Sequence, residues 1–124
     1  MSELLYKDEC FKLVGLCMEV HRVLGRGLDE IVYKDALVVE LQNAAIPFTR
    51  EQRHEITYKG VVLPHHYFAD FVAWDKIILE AKAVEKLSAS HAKQVLNYLA
   101  AAKLRVGLLL NFGTDSLEWK RVIL

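Results

Sequence analysis

Cysteine and proline are scarce in this chain, and neither sign of charge is in excess. Two cysteines in 124 residues are too few for an iron–sulfur cluster held by four thiolates, and no histidine–cysteine cluster of zinc-binding spacing accompanies them. Cys10 and Cys17 fall on one face of an expected helix and read as small buried hydrophobes in a reducing compartment. There are two prolines and no low-complexity or Pro/Ser-rich stretch, and apolar residues make up 53%, which excludes a disordered chain. Lys+Arg and Asp+Glu balance at 16 each. A stand-alone nucleic-acid binder usually carries net positive charge, so any such role rests on a local patch, a metal or a partner. No apolar run approaches membrane-spanning length, and the opening MSELLYKDECFK is too charged for a secretion signal. A cytoplasmic protein with no membrane contact is expected. A Gly-rich phosphate loop, a Ser/His/Asp order and a Cys/His pair are also lacking, which leaves small-molecule chemistry of those kinds without a motif.

What is present reads as one domain, residues 1–124. Apolar residues recur at helical spacing from about Lys7 to Leu24 and stop at Gly25-Arg-Gly27. A second helix starts near Asp29, a candidate N-cap, and runs to about Ala44. Arg50–Tyr58 alternates, Lys59-Gly60 is a hairpin turn, and Val61–Trp74 is long enough for an extended or bulged strand. Lys76–Ala83 is a third strand, and Ser88 opens a helix through about Lys103 with Ala92, Val95, Leu96 and Leu99 as its buried stripe. Arg105–Phe112 is apolar enough for a strand covered on both faces, and Leu117–Leu124 adds a short edge strand. The order ααβββαβ(β) gives an α/β (α+β) domain with a mixed central sheet of four to five strands flanked by helices.

The chemistry concentrates at Asp70 and at Glu80-Ala81-Lys82. Glu80 and Lys82, two apart on one strand, project from the same face. Whether Asp70 joins them depends on register. Asp70 opposite Glu80 requires a three-residue loop, Trp74-Asp75-Lys76, whereas a two-residue Asp75-Lys76 turn throws Asp70 to the other face. In the first geometry the two carboxylates and the Ala81 carbonyl offer hard oxygen ligands to Mg²⁺ or Mn²⁺. Lys82 then orients the attacking water and offsets charge on the phosphorane-like transition state. Taken alone, the three residues read more readily as a surface Asp and a Glu–Lys pair, since charged residues on half-exposed strands are ordinary. Against that, Glu80 and Lys82 interrupt an apolar run, where charge usually has a partner or a job.

Further motifs carry a family resemblance. They are Gly27-Leu-Asp-Glu30-Ile-Val-Tyr33 preceded by His21-Arg-Val-Leu-Gly25, Ala69-Asp70-Phe71, Glu80-Ala81-Lys82, Gln94-Val-Leu-Asn97-Tyr98-Leu99, Asn111-Phe112-Gly113 and Lys120-Arg121. With these in order over nearly its whole length, the chain resembles the PD-(D/E)XK nuclease superfamily and, within it, the small bacterial GxxExxY group. The resemblance implies a metal-dependent nuclease in which Asp70 and Glu80 bind the metal, Glu30 binds metal or a metal water, and Lys82 is the catalytic lysine. It also implies that Gln94 and Tyr98 contact substrate or support the site, with Tyr33 as a further such residue. Asp70 follows Ala rather than the Pro of the family pattern. DNA is the expected substrate over RNA, cut in a structure-selective or partner-directed way, and a homodimer would supply a second site.

Gln94 and Tyr98, i and i+4, share a face distinct from the buried stripe of their helix. His91 reads as a first-turn helix residue, His21 as a core or inter-helix histidine, and His65 and His66 as non-ligands of which at most one faces the site. Arg50, Arg53, Lys59, Lys86 and Lys93 read as solvated faces. The rival to the enzyme is a catalytically silent nuclease-fold protein acting as an interaction or nucleic-acid-binding module. Neutral charge favours it, and the presence of all four of Glu30, Asp70, Glu80 and Lys82 argues against it.

Overall fold

Apolar residues spaced three and four apart build α1 (Lys7–Leu24), which buries Cys10, Leu13, Val14, Cys17, Val20 and His21. Gly25, at φ 67°, ends it with its N–H on the His21 carbonyl at 2.8 Å. α2 (Glu30–Asn43) follows and buries Tyr33, Lys34, Leu37 and Leu41. Asp29 stands at the N-cap position, but its side chain makes no capping bond. The computed structural model describes residues 5–124. The remaining elements are β1 (Phe48–Tyr58), β2 (Val61–Ala73), β3 (Ile77–Lys82), α3 (Ala89–Ala102), β4 (Val106–Asn111) and β5 (Glu118–Ile123).

Among the described residues the strands form one five-stranded sheet in chain order, β1-β2-β3-β4-β5. β3 and β4 run parallel, joined by a crossover through α3, and the other neighbours are antiparallel. This is the mixed α/β architecture expected, with the edge strand β5 present. α1 and α2 cover one face, where Leu13, Cys17, Leu37 and Leu41 join a cluster with Phe71, Leu79, Leu108 and Leu110. α3 covers the other, with Val95 and Leu99 in a cluster with Val72, Ile78 and Leu109. Gly107 allows that approach, since a Cβ there would lie 2.6 Å from Val95 Cγ1. β3 and β4 are therefore covered on both faces, which is why they read as apolar runs.

Two features of register prepare the site. Ala73 pairs Ile77, Val72 pairs Ile78 and Phe71 pairs Leu79, so the loop is Trp74-Asp75-Lys76 and Asp70 stands opposite Glu80. Trp74 and Asp75 turn through φ 53° and 55°, and the Lys76 N–H closes the loop on the Ala73 carbonyl at 3.0 Å. The β2–β3 ladder stops at Phe71 and Leu79.

The second feature is a slip in alternation at Asp70. Phe71 and Ala73 pack with α1 and α2, and Val72 packs with α3. Ala69, in phase with Phe71, packs with α3 instead. On β1, Glu51 lies between the partners of Phe71 and Ala69 and adopts φ 54°. The hairpin rolls at this point. β2 parts from β3 and leaves a gap whose backbone N–H groups need acceptors.

Candidate active site

Side chains close that gap. Glu80 Oε1 accepts the Asp70 backbone N–H at 2.8 Å, and Asp70 Oδ2 accepts the Ala81 N–H at 2.9 Å. Each carboxylate thus satisfies the backbone of the opposite strand, and both are buried. A strand residue points its N–H and C=O to the same side, so the Ala81 carbonyl faces the same gap.

Burial, then the charge of Asp70, pushes the Glu80 carboxyl up to about 9. Glu30, at the start of α2, is half-buried and lies within reach of Asp70, Lys82, Lys34 and Glu51. Burial and the Asp70 charge raise its carboxyl as well, against the pull of the two lysines. Lys82, further along β3, donates to Gln94 Oε1 on α3 at 2.7 Å. Tyr98, one turn after Gln94, has its hydroxyl pushed up to about 12 by burial and then by the charges of Glu80 and Asp70. Glu30, Asp70, Glu80, Ala81, Lys82, Gln94 and Tyr98 therefore meet at one place, reached from α2, β2, β3 and α3.

Residues 7–122 match the PD-(D/E)XK nuclease superfamily. The chain belongs to that superfamily. The crystal structure of SSO0001 has the same fold, with a TM-score of 0.60 at 20% identity; the likeness covers 97% of this chain and 60% of that one. No curated protein matches this chain.

Within this superfamily fold, two site residues escaped the sequence reading. Lys34 Nζ lies 2.9 Å from Asp70 Oδ1 and 2.5 Å from Glu51 Oε1. Burial works against its charge, but the hydrogen bonds to Glu51 and Asp70 outweigh it and raise its pKa above the ordinary lysine value. Lys34 follows Glu30 by four residues on a helix, so shared facing was the signal available. Glu51 had none, because its place depends on the β1–β2 register and a left-handed backbone.

Tyr33 is set apart from this cluster. It is fully buried, stacked on Phe112 at 4.8 Å, with its hydroxyl donating to the Gly25 carbonyl at 2.6 Å and accepting the Leu28 N–H at 3.2 Å. A residue so enclosed supports the turn that launches α2. His21 is buried beside Phe112, with Nε2 2.8 Å from the Thr114 carbonyl oxygen. His91 accepts the Ser88 N–H at 3.0 Å and caps α3. Arg50 pairs Asp35, Arg53 pairs Glu55, and Lys59 lies over Tyr58.

The donors suit a hard divalent cation. They are two buried carboxylates, a strand carbonyl and a third carboxylate, Glu30, within electrostatic reach. Burial and the neighbouring Asp70 charge raise the Glu80 carboxyl despite the pull of Lys82, and a divalent cation held here would oppose both. As the side chains stand, no group of three His, Cys, Asp or Glu among the described residues already forms a metal cage. Lys34 occupies Asp70 Oδ1 instead.

Proposed function

We propose that this chain is a metal-dependent nuclease that hydrolyses phosphodiester bonds of nucleic acid, DNA in preference to RNA. The reciprocal clasp of Asp70 and Glu80 at the β2–β3 gap, with Lys82 beside it, carries the reading. Asp70, Glu80 and the Ala81 carbonyl are the residues that would hold Mg²⁺ or Mn²⁺, with Glu30 as a further carboxylate. A divalent ion held by these residues would supply an acidified water and offset charge on the phosphate. Lys82, steadied by Gln94, orients the attacking water and offsets charge in the transition state. In-line displacement leaves 5′-phosphate and 3′-hydroxyl ends.

The spacing Gly27, Glu30, Tyr33 supports placement in the GxxExxY group. Net charge of zero supports structure-selective or partner-directed cutting over sequence reading, and a homodimer would enlarge the phosphate-contacting surface. A cytoplasmic site of action accords with two free, buried cysteines.

One observation favours the rival, a catalytically silent module. The Lys34 ammonium already balances Asp70, so the cluster has a cation of its own. Cleavage of labelled single-stranded, duplex and branched DNA with Mg²⁺ or Mn²⁺, with Lys82→Ala run alongside, separates the two. Activity that needs metal and vanishes in Lys82→Ala establishes the nuclease. Absence of both cleavage and Mn²⁺ binding leaves the silent module.

A further inference from the structure

Beyond the carboxylates, the β1–β2 hairpin and α3 enclose an open groove of about 440 Å³, within the ~300–1,000 Å³ range of small-ligand sites. One wall is His65, Tyr67 and Phe68 on β2, and the other is Gln94, Asn97 and Tyr98 on α3. His66 also borders it, so both histidines reach a groove that simple alternation would give to one. The aromatic rings meet edge to face: His65 on Tyr67 at 4.9 Å, His66 on Phe68 at 5.2 Å, and Tyr67 on Tyr98 at 5.5 Å. Each such contact sets one ring's edge on the other's face, and Phe68 is still 48% exposed.

The groove adjoins the carboxylate site through Gln94. Gln94, in its wall, is the residue that holds Lys82, and Tyr98 feels the charges of Glu80 and Asp70. A chain of zero net charge gains little from phosphate neutralisation. Stacking on aromatic rings is the remaining sequence-tolerant source of affinity for nucleic acid, and it is open only to bases outside a duplex.

We infer that this groove binds unpaired nucleobases of a single strand, stacked on Tyr67 and Phe68, beside the phosphodiester presented to Asp70, Glu80 and Lys82. The inference deepens the nuclease reading and rests on it for what lies next to the groove.

Fluorescence anisotropy with labelled oligo-dU and oligo-U of about 12 nucleotides, against a blunt DNA duplex of equal length, tests it with Ca²⁺ replacing Mg²⁺. A single strand should bind at least roughly tenfold tighter than the duplex, and Phe68→Ala should lose about tenfold of that affinity, the share of one stacked base. The half-exposed position of Phe68 lets the variant fold, which its melting curve checks; His65→Ala provides a second reading. The better-bound oligomer identifies the sugar. Equal binding of duplex and single strand, or unchanged single-strand affinity in both variants, overturns the inference. Mn²⁺ calorimetry on the same samples distinguishes the failures. Metal binding without single-strand preference overturns the groove alone. Single-strand preference without metal binding supports the groove and overturns the nuclease reading.

Discussion

Lys34 Nζ and Asp70 Oδ1 lie 2.9 Å apart, with about a tenth of each side chain exposed. The ion pair joins α2 to the β2–β3 gap, and Glu51 on β1 completes it. A cation built into the protein thus sits on the carboxylate that a metal would also use. It holds the Asp70 carboxylate in place without metal, and it competes with metal for one oxygen.

Replacing that cation separates the two effects. Removing one partner of a buried ion pair costs roughly 3–5 kcal/mol; Glu51 is half in solvent, so Lys34→Met should fall near the low end. Urea unfolding in EDTA should show that loss, and saturating Mn²⁺ should return much of it by giving Asp70 another cation. An equal loss with and without Mn²⁺ would mean that metal does not reach Asp70.

Glu80 makes stability depend on pH in the metal-free protein. Its carboxyl is moved from an ordinary 4.5 to about 9, chiefly by burial. Between those values the folded chain holds a proton that the unfolded chain has released. Stability therefore falls as pH rises through that window, and the raised Glu30 carboxyl adds to the same slope. The melting temperature in EDTA should drop from about pH 6 to pH 9, and Glu80→Gln should flatten the curve. Mn²⁺ binding at neutral pH should release protons, measured by calorimetry in buffers of different ionisation enthalpy. A melting temperature that rises over this range would contradict a protonated Glu80.

The fold was legible because its signals are periodic. Helical spacing located α1 and α3, and the apolar runs of β3 and β4 announced strands covered on both faces. The Asp70–Glu80 register was legible as a condition on loop length, and Trp74-Asp75-Lys76 meets it. Lys34 stayed hidden because a lysine on a helix ordinarily reads as solvated, and nothing local signals that Asp70 and Glu51 converge on it. The roll at Asp70 was hidden as well, since it depends on Glu51 adopting a left-handed backbone that non-glycine residues rarely take. Asp29 marked the start of α2 correctly, since it stands at the N-cap position, although its side chain makes no capping bond.

Tyr33 belongs to a motif expected to serve the site, yet its contacts are with the turn before α2 and with Phe112. Tyr33→Phe keeps the ring and removes the hydroxyl, leaving the Gly25 carbonyl and the Leu28 N–H short of a partner. The cost should be about 1–3 kcal/mol in urea unfolding, with Mn²⁺ affinity unchanged. A large fall in Mn²⁺ affinity at unchanged stability would place Tyr33 in the site after all.

Gln94 accepts from the Lys82 ammonium at 2.7 Å, which on the proposed nuclease reading makes it a positioning residue acting through Lys82. Gln94→Ala frees that ammonium to take other rotamers, and loss of such outer support typically costs 10–100-fold in activity, so a fall of roughly that size in the cleavage rate is expected. Gln94→Glu keeps an acceptor at the same reach and should restore most of the rate. A role confined to packing α3 would predict otherwise, because Glu and Ala would then both be judged by helix stability and neither would track the Lys82 contact. Cleavage rates of the two variants, read beside their melting temperatures, decide between these accounts: rescue by Glu at matched stability assigns Gln94 to Lys82, and parallel loss in both withdraws it.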